Sequence, residues 1–116
     1  MATHADDLRR IALALPEAYE DVHRRRPTFR VNKRIFAILG VTGAPALFTS
    51  LGRDDVAVVK LHREDQLNMA AAHPTAVQPT ETYGRHGWTY LRLADLDQPT
   101  LEALLRLAWV NVAPRR

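Results

Sequence analysis

Residues 27–41 read PTFRVNKRIFAILGV and contain two short apolar runs on either side of a turn signal. Phe29 and Val31 alternate with polar neighbours and precede the dipeptide Asn32-Lys33. The residues from 35 to 41 then form a nearly continuous apolar run. Alternating apolar residues, a turn and a second apolar run are typical of two antiparallel strands. This stretch therefore predicts a β-hairpin whose Phe29 and Val31 side chains face a core.

Similar short runs extend outward from this hairpin in both directions. Val22 lies in a run on the amino-terminal side, and Ala46–Thr49 and Val56–Val59 follow on the carboxyl-terminal side, separated by turn residues. Short apolar runs at this spacing predict an antiparallel meander of about five strands between Tyr19 and Lys60.

Two helices flank the predicted meander. Thr3 is placed to cap the first helix, with Asp6 in a position that resembles a capping box, and the helix is expected to end at Leu15 because Pro16 disfavours the helical region there. A second helix is predicted over Arg63–Ala72, with two acids in its first turn and a proline after its end.

The carboxyl-terminal third of the chain predicts an edge strand, a further strand and a third helix. Ala76–Pro79 is expected at a sheet edge because of its proline, and the last strand begins at Trp88, after a turn at residues 84–87. Asp97 and Pro99 are suited to the start of the third helix. Its apolar stripe consists of Leu101, Leu104, Leu105, Ala108, Trp109 and Val112. This order predicts an α+β fold, an antiparallel β-sheet with helices packed on one face.

Length and composition favour a single domain over residues 1–116. The chain contains no cysteine, which fits a reducing cytoplasm. Acids stand near the amino terminus, where a secretory signal would carry cations, and no apolar run approaches the length of a membrane span. We therefore expect a cytoplasmic protein that does not enter a membrane.

Catalytic and metal-binding motifs are absent from the sequence. Ser50 is the only serine and does not lie in a nucleophile elbow, and no glycine-rich phosphate loop is present. The five histidines do not have the spacing of metal ligands; His23, which follows Glu20 and Asp21, is the nearest approach to such a site. We expect a non-enzymatic protein without a metal or cofactor.

Positive charge is concentrated between residues 24 and 34. That segment holds six of the 16 lysines and arginines and no acid, so the rest of the chain has a net charge of −3 against +3 for the whole. Such a segment is typical of a surface that docks onto a polyanion. The alternative is that these arginines only solvate an exposed hairpin. In either case Arg30 and the turn residues are expected to project into water, and Arg24 and Arg26 to share one face of the preceding strand.

Two further features near residue 88 leave alternatives open. The turn Gly84-Arg85-His86-Gly87 is either a plain structural turn or a loop that holds one phosphate. Trp88 and Tyr90 share one face of the last strand and form either part of the core or a base-stacking platform. Burial is favoured for both tryptophans, with Trp88 packed against Trp109.

Five blocks of the sequence resemble the MmcQ/YjbR family of small bacterial proteins. They are residues 15–20 (LPEAYE), 27–37 (PTFRVNKRIFA), 58–61 (VVKL), 83–93 (YGRHGWTYLRL) and 104–114 (LLRLAWVNVAP). The resemblance implies a CyaY-like, frataxin-related fold and a DNA-binding protein of the "double-wing" type. The wings would be the hairpin around residues 30–34 and the turn at Arg85-His86. Frataxin-like iron handling is not expected, because Arg9 and Arg10 follow the acids of the first helix.

The sequence therefore predicts a DNA-binding protein that contacts phosphates through basic loops, mostly without base specificity. The alternative is a protein-interaction module that docks onto an acidic partner. The oligomeric state is left open. The predicted nucleic-acid-binding residues are Arg24, Arg26, Arg30, Asn32, Lys33, Arg34, Arg85 and His86.

Overall fold

The computed structural model describes residues 3–39, 56–81 and 83–113. Its α-helices are α1 (Ala5–Ala14), α2 (Arg63–Ala72) and α3 (Gln98–Val112). Its strands are β1 (Tyr19–His23), β2 (Arg26–Val31), β3 (Arg34–Leu39), β4 (Val56–Lys60), β5 (Val77–Pro79) and β6 (Trp88–Arg92). The predicted strand at 46–49 and the turns beside it lie outside the described residues.

The strands form one antiparallel sheet in the order β1-β2-β3-β4-β6-β5. β2 and β3 are the predicted hairpin, and β5 lies at the sheet edge as its proline predicted. The α+β fold class is confirmed.

One face of the sheet carries the main core. Helices α1 and α3 pack against each other and across the strands, and α2 packs beside β5. Phe29, Val31, Ala57 and Val59 point toward these helices and belong to the same core cluster as the apolar stripe of α3. The helices therefore cover this face, and we call the other one the open face.

A β-bulge lets β3 place two consecutive side chains in that core. Phe29 pairs with Ala37 but Arg30 pairs with Ile35, so Phe36 is the extra residue on β3. Phe36 and Ala37 are both fully buried in the main cluster. The bulge explains why this run reads as continuously apolar instead of alternating.

The open face carries a second, smaller apolar cluster. Val56, Val58 and Tyr90 form it, with Ile38 and Trp88 packed at its margin. Trp109 packs against the helix-covered core instead, where its Nε1 donates a 2.9 Å hydrogen bond to the Pro16 carbonyl. The prediction that Trp88 packs against Trp109 is wrong, because cross-strand pairing of β6 with β4 directs Trp88 to the opposite face.

Helices α2 and α3 begin where the sequence predicts, whereas α1 is capped by a different residue. Asp97 caps α3 by accepting from the Thr100 N–H at 2.9 Å, as predicted, and α2 has its predicted bounds. In α1 the cap is His4, not Thr3, and Asp7 accepts from the His4 N–H. Thr3 is buried and donates to the Leu93 carbonyl at 2.7 Å, so its hydroxyl ties the amino terminus to the end of β6. None of the described helices is both long and apolar enough to cross a bilayer.

Candidate nucleic-acid interface

The basic segment 24–34 contains two hairpin turns that lie at opposite ends of β2. His23 pairs with Arg26 at one end, around the turn Arg24-Arg25. Val31 pairs with Arg34 at the other end, around the turn Asn32-Lys33. β2 has six residues, which separates the turns by roughly 20 Å. The segment is therefore not one continuous basic surface.

The expectation that Arg24 lies on a strand beside Arg26 is wrong. Arg24 and Arg25 have φ values of 52° and 65°, as in the tight two-residue turns that join antiparallel strands. Both are exposed at the tip of the β1–β2 hairpin. This tip lies far from the Asn32-Lys33 turn, at the end of the sheet where β6 finishes.

Arg30 does not project into water as expected. Its side chain is only 20% exposed and lies on the open face of the sheet. Its Nε is 4.0 Å from Asp21 Oδ2 on the neighbouring strand and 3.4 Å from Thr28 Oγ1. A guanidinium that is half-buried and faces a carboxylate offers little to a phosphate, so Arg30 is a poor candidate for the interface.

The other end of β2 brings several cationic segments together. Lys60 pairs with Trp88, so the β4–α2 junction and the turn before β6 meet at the end of the sheet where Arg34 begins β3. We call this region the basic end. Its cationic and hydrogen-bonding members are Asn32, Lys33, Arg34, Lys60, His62, Arg63, Arg85 and His86.

Two adjoining depressions lie between these segments. The larger one, of about 560 Å³, is bordered by Asn32, Arg34 and the last turn of α3, and it also includes Asp65. The smaller one, of about 300 Å³, is lined by no carboxylate of residues 3–39, 56–81 or 83–113. Its polar lining consists of Arg34, Lys60, His62, Arg63, Arg85, His86 and Asn111. Arg34 thus borders the same depression as Arg85 and His86, although some 50 residues separate them in sequence.

The turn that carries Arg85 and His86 is fixed by its glycines. Gly87 has a φ of 96°, and a Cβ there would lie 1.9 Å from the Leu61 carbonyl oxygen. The Leu61 N–H donates to the Gly87 carbonyl at 2.8 Å, which joins the turn directly to the β4–α2 junction. Only glycine fits at this position, because a side chain would force the two segments apart.

Arg63 lines the smaller depression and is held there by a buried amide. Its Nη1 donates to Gln66 Oε1 at 2.6 Å and to the Gly84 carbonyl at 3.2 Å. Gln66 is fully buried and donates in turn to Thr89 Oγ1 and the Trp88 carbonyl. This network fixes the guanidinium relative to the Arg85-His86 turn before any ligand arrives.

Several cations of the basic end make no ion pair with a described residue, which is also true of Arg24 and Arg25 at the opposite hairpin tip. Within the described residues, Lys33, Arg34 and Arg85 are exposed and make no ion pair, whereas Arg9 and Arg10 are paired with acids of α1 or β1. Lys60 lies with its Nζ 5.4 Å from the centroid of the Trp88 ring, a cation–π contact at the border between the basic end and the open face.

Sequence reasoning brought Asn32, Lys33, Arg34, Arg85 and His86 into the candidate site, and the structure places them at one end of the sheet. It missed Lys60, His62 and Arg63. They lie within the run Lys60–Arg63, and Glu64 and Asp65 follow directly and offset its positive charge, so no net basic run marks them. Only the pairing of β4 with β6 brings them beside the Arg85-His86 turn.

The histidines contribute no metal centre within the described part of the chain, which holds no group of three or more His, Cys, Asp or Glu side chains suited to an ion. His62 instead caps α2, where its Nδ1 accepts from the Glu64 N–H at 3.3 Å.

A family model described as YjbR matches residues 13–111. A crystal structure of the Deinococcus radiodurans protein DR2400, with the family-model domain DUF419, aligns with a TM-score of 0.71 at 24% sequence identity. The alignment covers 97% of this chain and 79% of that one. At this identity the likeness shows a shared fold. No curated protein matches the chain.

Proposed function

The chain belongs to the YjbR family, and from this premise we propose that it is a non-enzymatic DNA-binding protein whose contacts are made by the basic end. What supports the proposal is that Arg34, Arg63 and Arg85 line one depression to which the described residues contribute no carboxylate. Arginine and lysine donors at such a place suit phosphate oxygens, and desolvation in a concave site strengthens each contact.

Binding through this surface depends on phosphates more than on bases. The described arginines on the water-facing sides of helices α1 and α3, which are Arg9, Arg10 and Arg106, are paired with acids. Neither helix therefore offers an unpaired basic face to a major groove. The groups offered at the basic end are guanidinium, ammonium and imidazole side chains on turns and at the ends of strands and of α2. Such contacts position nucleic acid and carry little sequence information.

A comparison of two charge reversals tests the proposal. The double variant Lys33→Glu/Arg34→Glu changes the charge at the basic end, and Arg24→Glu/Arg25→Glu makes the same change at the opposite hairpin tip. Fluorescence anisotropy with a labelled duplex at low salt measures both. We expect the first variant to lose at least about tenfold in affinity and the second to stay near the parent protein.

The matched design separates local contacts from net charge. An equal loss in both variants would show that DNA responds only to overall charge, and no binding by the parent protein at low salt would rule out the function. Circular dichroism checks that both variants remain folded, which is expected because the four side chains are exposed. Capture of an acidic protein from nuclease-treated lysate, in the absence of DNA binding, would favour the protein-interaction alternative.

A further inference from the structure

We propose that the smaller depression of the basic end is a binding pocket for a terminal phosphate, so that the protein prefers phosphorylated ends of nucleic acid to internal backbone. The inference rests on the proposed function and deepens it, because it assigns the ligand class of one part of the surface. The ligand is a phosphomonoester, which carries about −1.5 to −2 charges at neutral pH.

The lining chemistry fits a dianion. Arginines reach the depression from the start of β3, the start of α2 and the turn before β6. They are Arg34, Arg63 and Arg85, with His62 and His86 beside them; Lys60 also borders the depression, but its Nζ lies over the Trp88 ring. An internal phosphodiester has one negative charge, so it gains less from three neighbouring guanidinium groups than a terminal phosphate does.

The acids of the first turn of α2 define the limits of this pocket. Asp65 borders the larger depression and Glu64 is exposed, and neither lines the smaller one. A phosphate is therefore favoured in the smaller depression and disfavoured beside Asp65. The amino-terminal end of α2 adds little to the site, because these two carboxylates offset its partial positive charge.

Shape also favours an end over a continuous chain. A volume of about 300 Å³ holds a phosphate with its attached sugar. An internal phosphate is flanked by sugars on both sides and has two oxygens free of sugar links, whereas a terminal phosphate is attached on one side only and has three. Donors placed around a depression can therefore reach more oxygens of a terminal phosphate.

Two parts of the pocket lining are held in place before a ligand binds. Gln66 holds the Arg63 guanidinium, and Gly87 holds the Arg85-His86 turn against Leu61. A site whose donors are already positioned loses less side-chain entropy when it binds. This organisation is needed to recognise one compact ligand and is unnecessary for diffuse attraction to a polyanion.

The test uses one single-stranded oligonucleotide prepared with a 5′-phosphate, with a 3′-phosphate or with hydroxyls at both ends. Anisotropy at constant ionic strength compares the three forms, with the label placed internally. We expect at least one phosphorylated form to bind at least about tenfold more tightly than the unphosphorylated one. Competition by a nucleoside monophosphate, but not by the matching nucleoside, is the expected second result.

Arg85→Gln is the informative variant because Arg85 is exposed and makes no ion pair with a described residue. It should abolish the preference for the phosphorylated form, while Arg24→Gln, at the other end of the sheet, should keep it. Loss of the preference in both variants would overturn the inference, since it would then reflect net charge. An Arg63→Gln variant adds a second test, with thermal unfolding to verify the fold.

The two proposals fail in different ways. Equal affinity for all three oligonucleotides would overturn the pocket and leave DNA binding by the basic end intact. Binding of the nucleoside monophosphate, with no affinity for any oligonucleotide or duplex, would overturn the proposed function and support a phosphomonoester pocket used for small ligands.

Discussion

Lys33 has a backbone conformation that its side chain does not favour. Its φ of 64° lies in the left-handed region, as does that of Asn32 at 53°. Asparagine tolerates this region and glycine is the preferred residue after it in a tight hairpin, whereas lysine is disfavoured there by about 1 kcal/mol. The turn therefore keeps a cation at a position where glycine would be more stable.

Replacing Lys33 with glycine should raise the stability of the fold and weaken DNA binding. We expect Lys33→Gly to raise the free energy of unfolding by about 0.5–1 kcal/mol and to weaken DNA binding, because one cation of the basic end is lost. Urea unfolding and anisotropy measure the two effects. Arg25→Gly, with a φ of 65° at the opposite tip, is the control: it should stabilise similarly and leave binding unchanged. A Lys33→Gly variant that binds as well as the parent would remove Lys33 from the interface.

Single residues were predictable where local chemistry decides their environment. Phe29 and Val31 are buried because they alternate along β2, and the chain turns at Asn32-Lys33, where asparagine tolerates the positive φ of the first turn position. Arg30 could not be placed in the same way. Its partner Asp21 lies on another strand, and the register that brings the two side chains together depends on the β1–β2 turn.

Among the elements, α3 shows how a cap can be tested by pH. Hydrogen bonds from the side chain and then the backbone N–H of Thr100 hold the pKa of Asp97 below its ordinary value of 3.8. A carboxyl whose pKa is lower in the folded state contributes stability above its unfolded pKa. That contribution is lost as the pH falls through the folded pKa. The contribution of Asp97 should therefore disappear in acid, below about pH 4.

We predict that Asp97→Asn reduces the dependence of the melting temperature on pH in the acid range. Asparagine also caps helices but does not titrate in this range, so the melting temperature of the variant should fall less between about pH 5 and about pH 2. Asp97→Ala should lower the melting temperature at neutral pH, because the cap itself is removed. The melting temperature of both variants should still fall somewhat in acid, because Asp7 still titrates. The pKa of Asp7 is also lowered, first of all by its hydrogen bond to the His4 backbone. Identical pH profiles for the parent and Asp97→Asn would contradict the assignment.

Elements were predicted best where their ends carry their own signals. Asp97 and Pro99 mark the start of α3, and Pro74 follows the end of α2, so these helices have the expected bounds. The face to which Trp88 points was not predictable in this way. It follows from the pairing of β6 with β4, and the alternation within β6 cannot tell which of its two sides the helices cover.

At the scale of the molecule, topology and not composition decides where the positive charge lies. Six cations adjoin in the sequence between residues 24 and 34, yet β2 carries its two turns to opposite ends of the sheet. The same topology brings Lys60, Arg63 and Arg85 to Arg34 from distant parts of the chain. When a basic run in a meander contains a whole strand, that strand places the two halves of the run at opposite ends of the sheet. Basic residues near the ends of different strands can instead lie close together, although they are distant in sequence.

This division of charge predicts the salt dependence of DNA binding. If Lys33, Arg34, Lys60, Arg63 and Arg85 each neutralise one phosphate, log K should fall with log salt with a slope of about −4.5. Lys33→Gln/Arg34→Gln should make the slope shallower by about 2, since two counterions fewer are released. Arg24→Gln/Arg25→Gln should leave it unchanged, because that hairpin tip lies roughly 20 Å away along β2. Affinities measured by anisotropy over a series of salt concentrations give all three slopes. A parent slope near −6, reduced by the Arg24/Arg25 variant, would instead mean that duplex DNA spans both ends of the sheet.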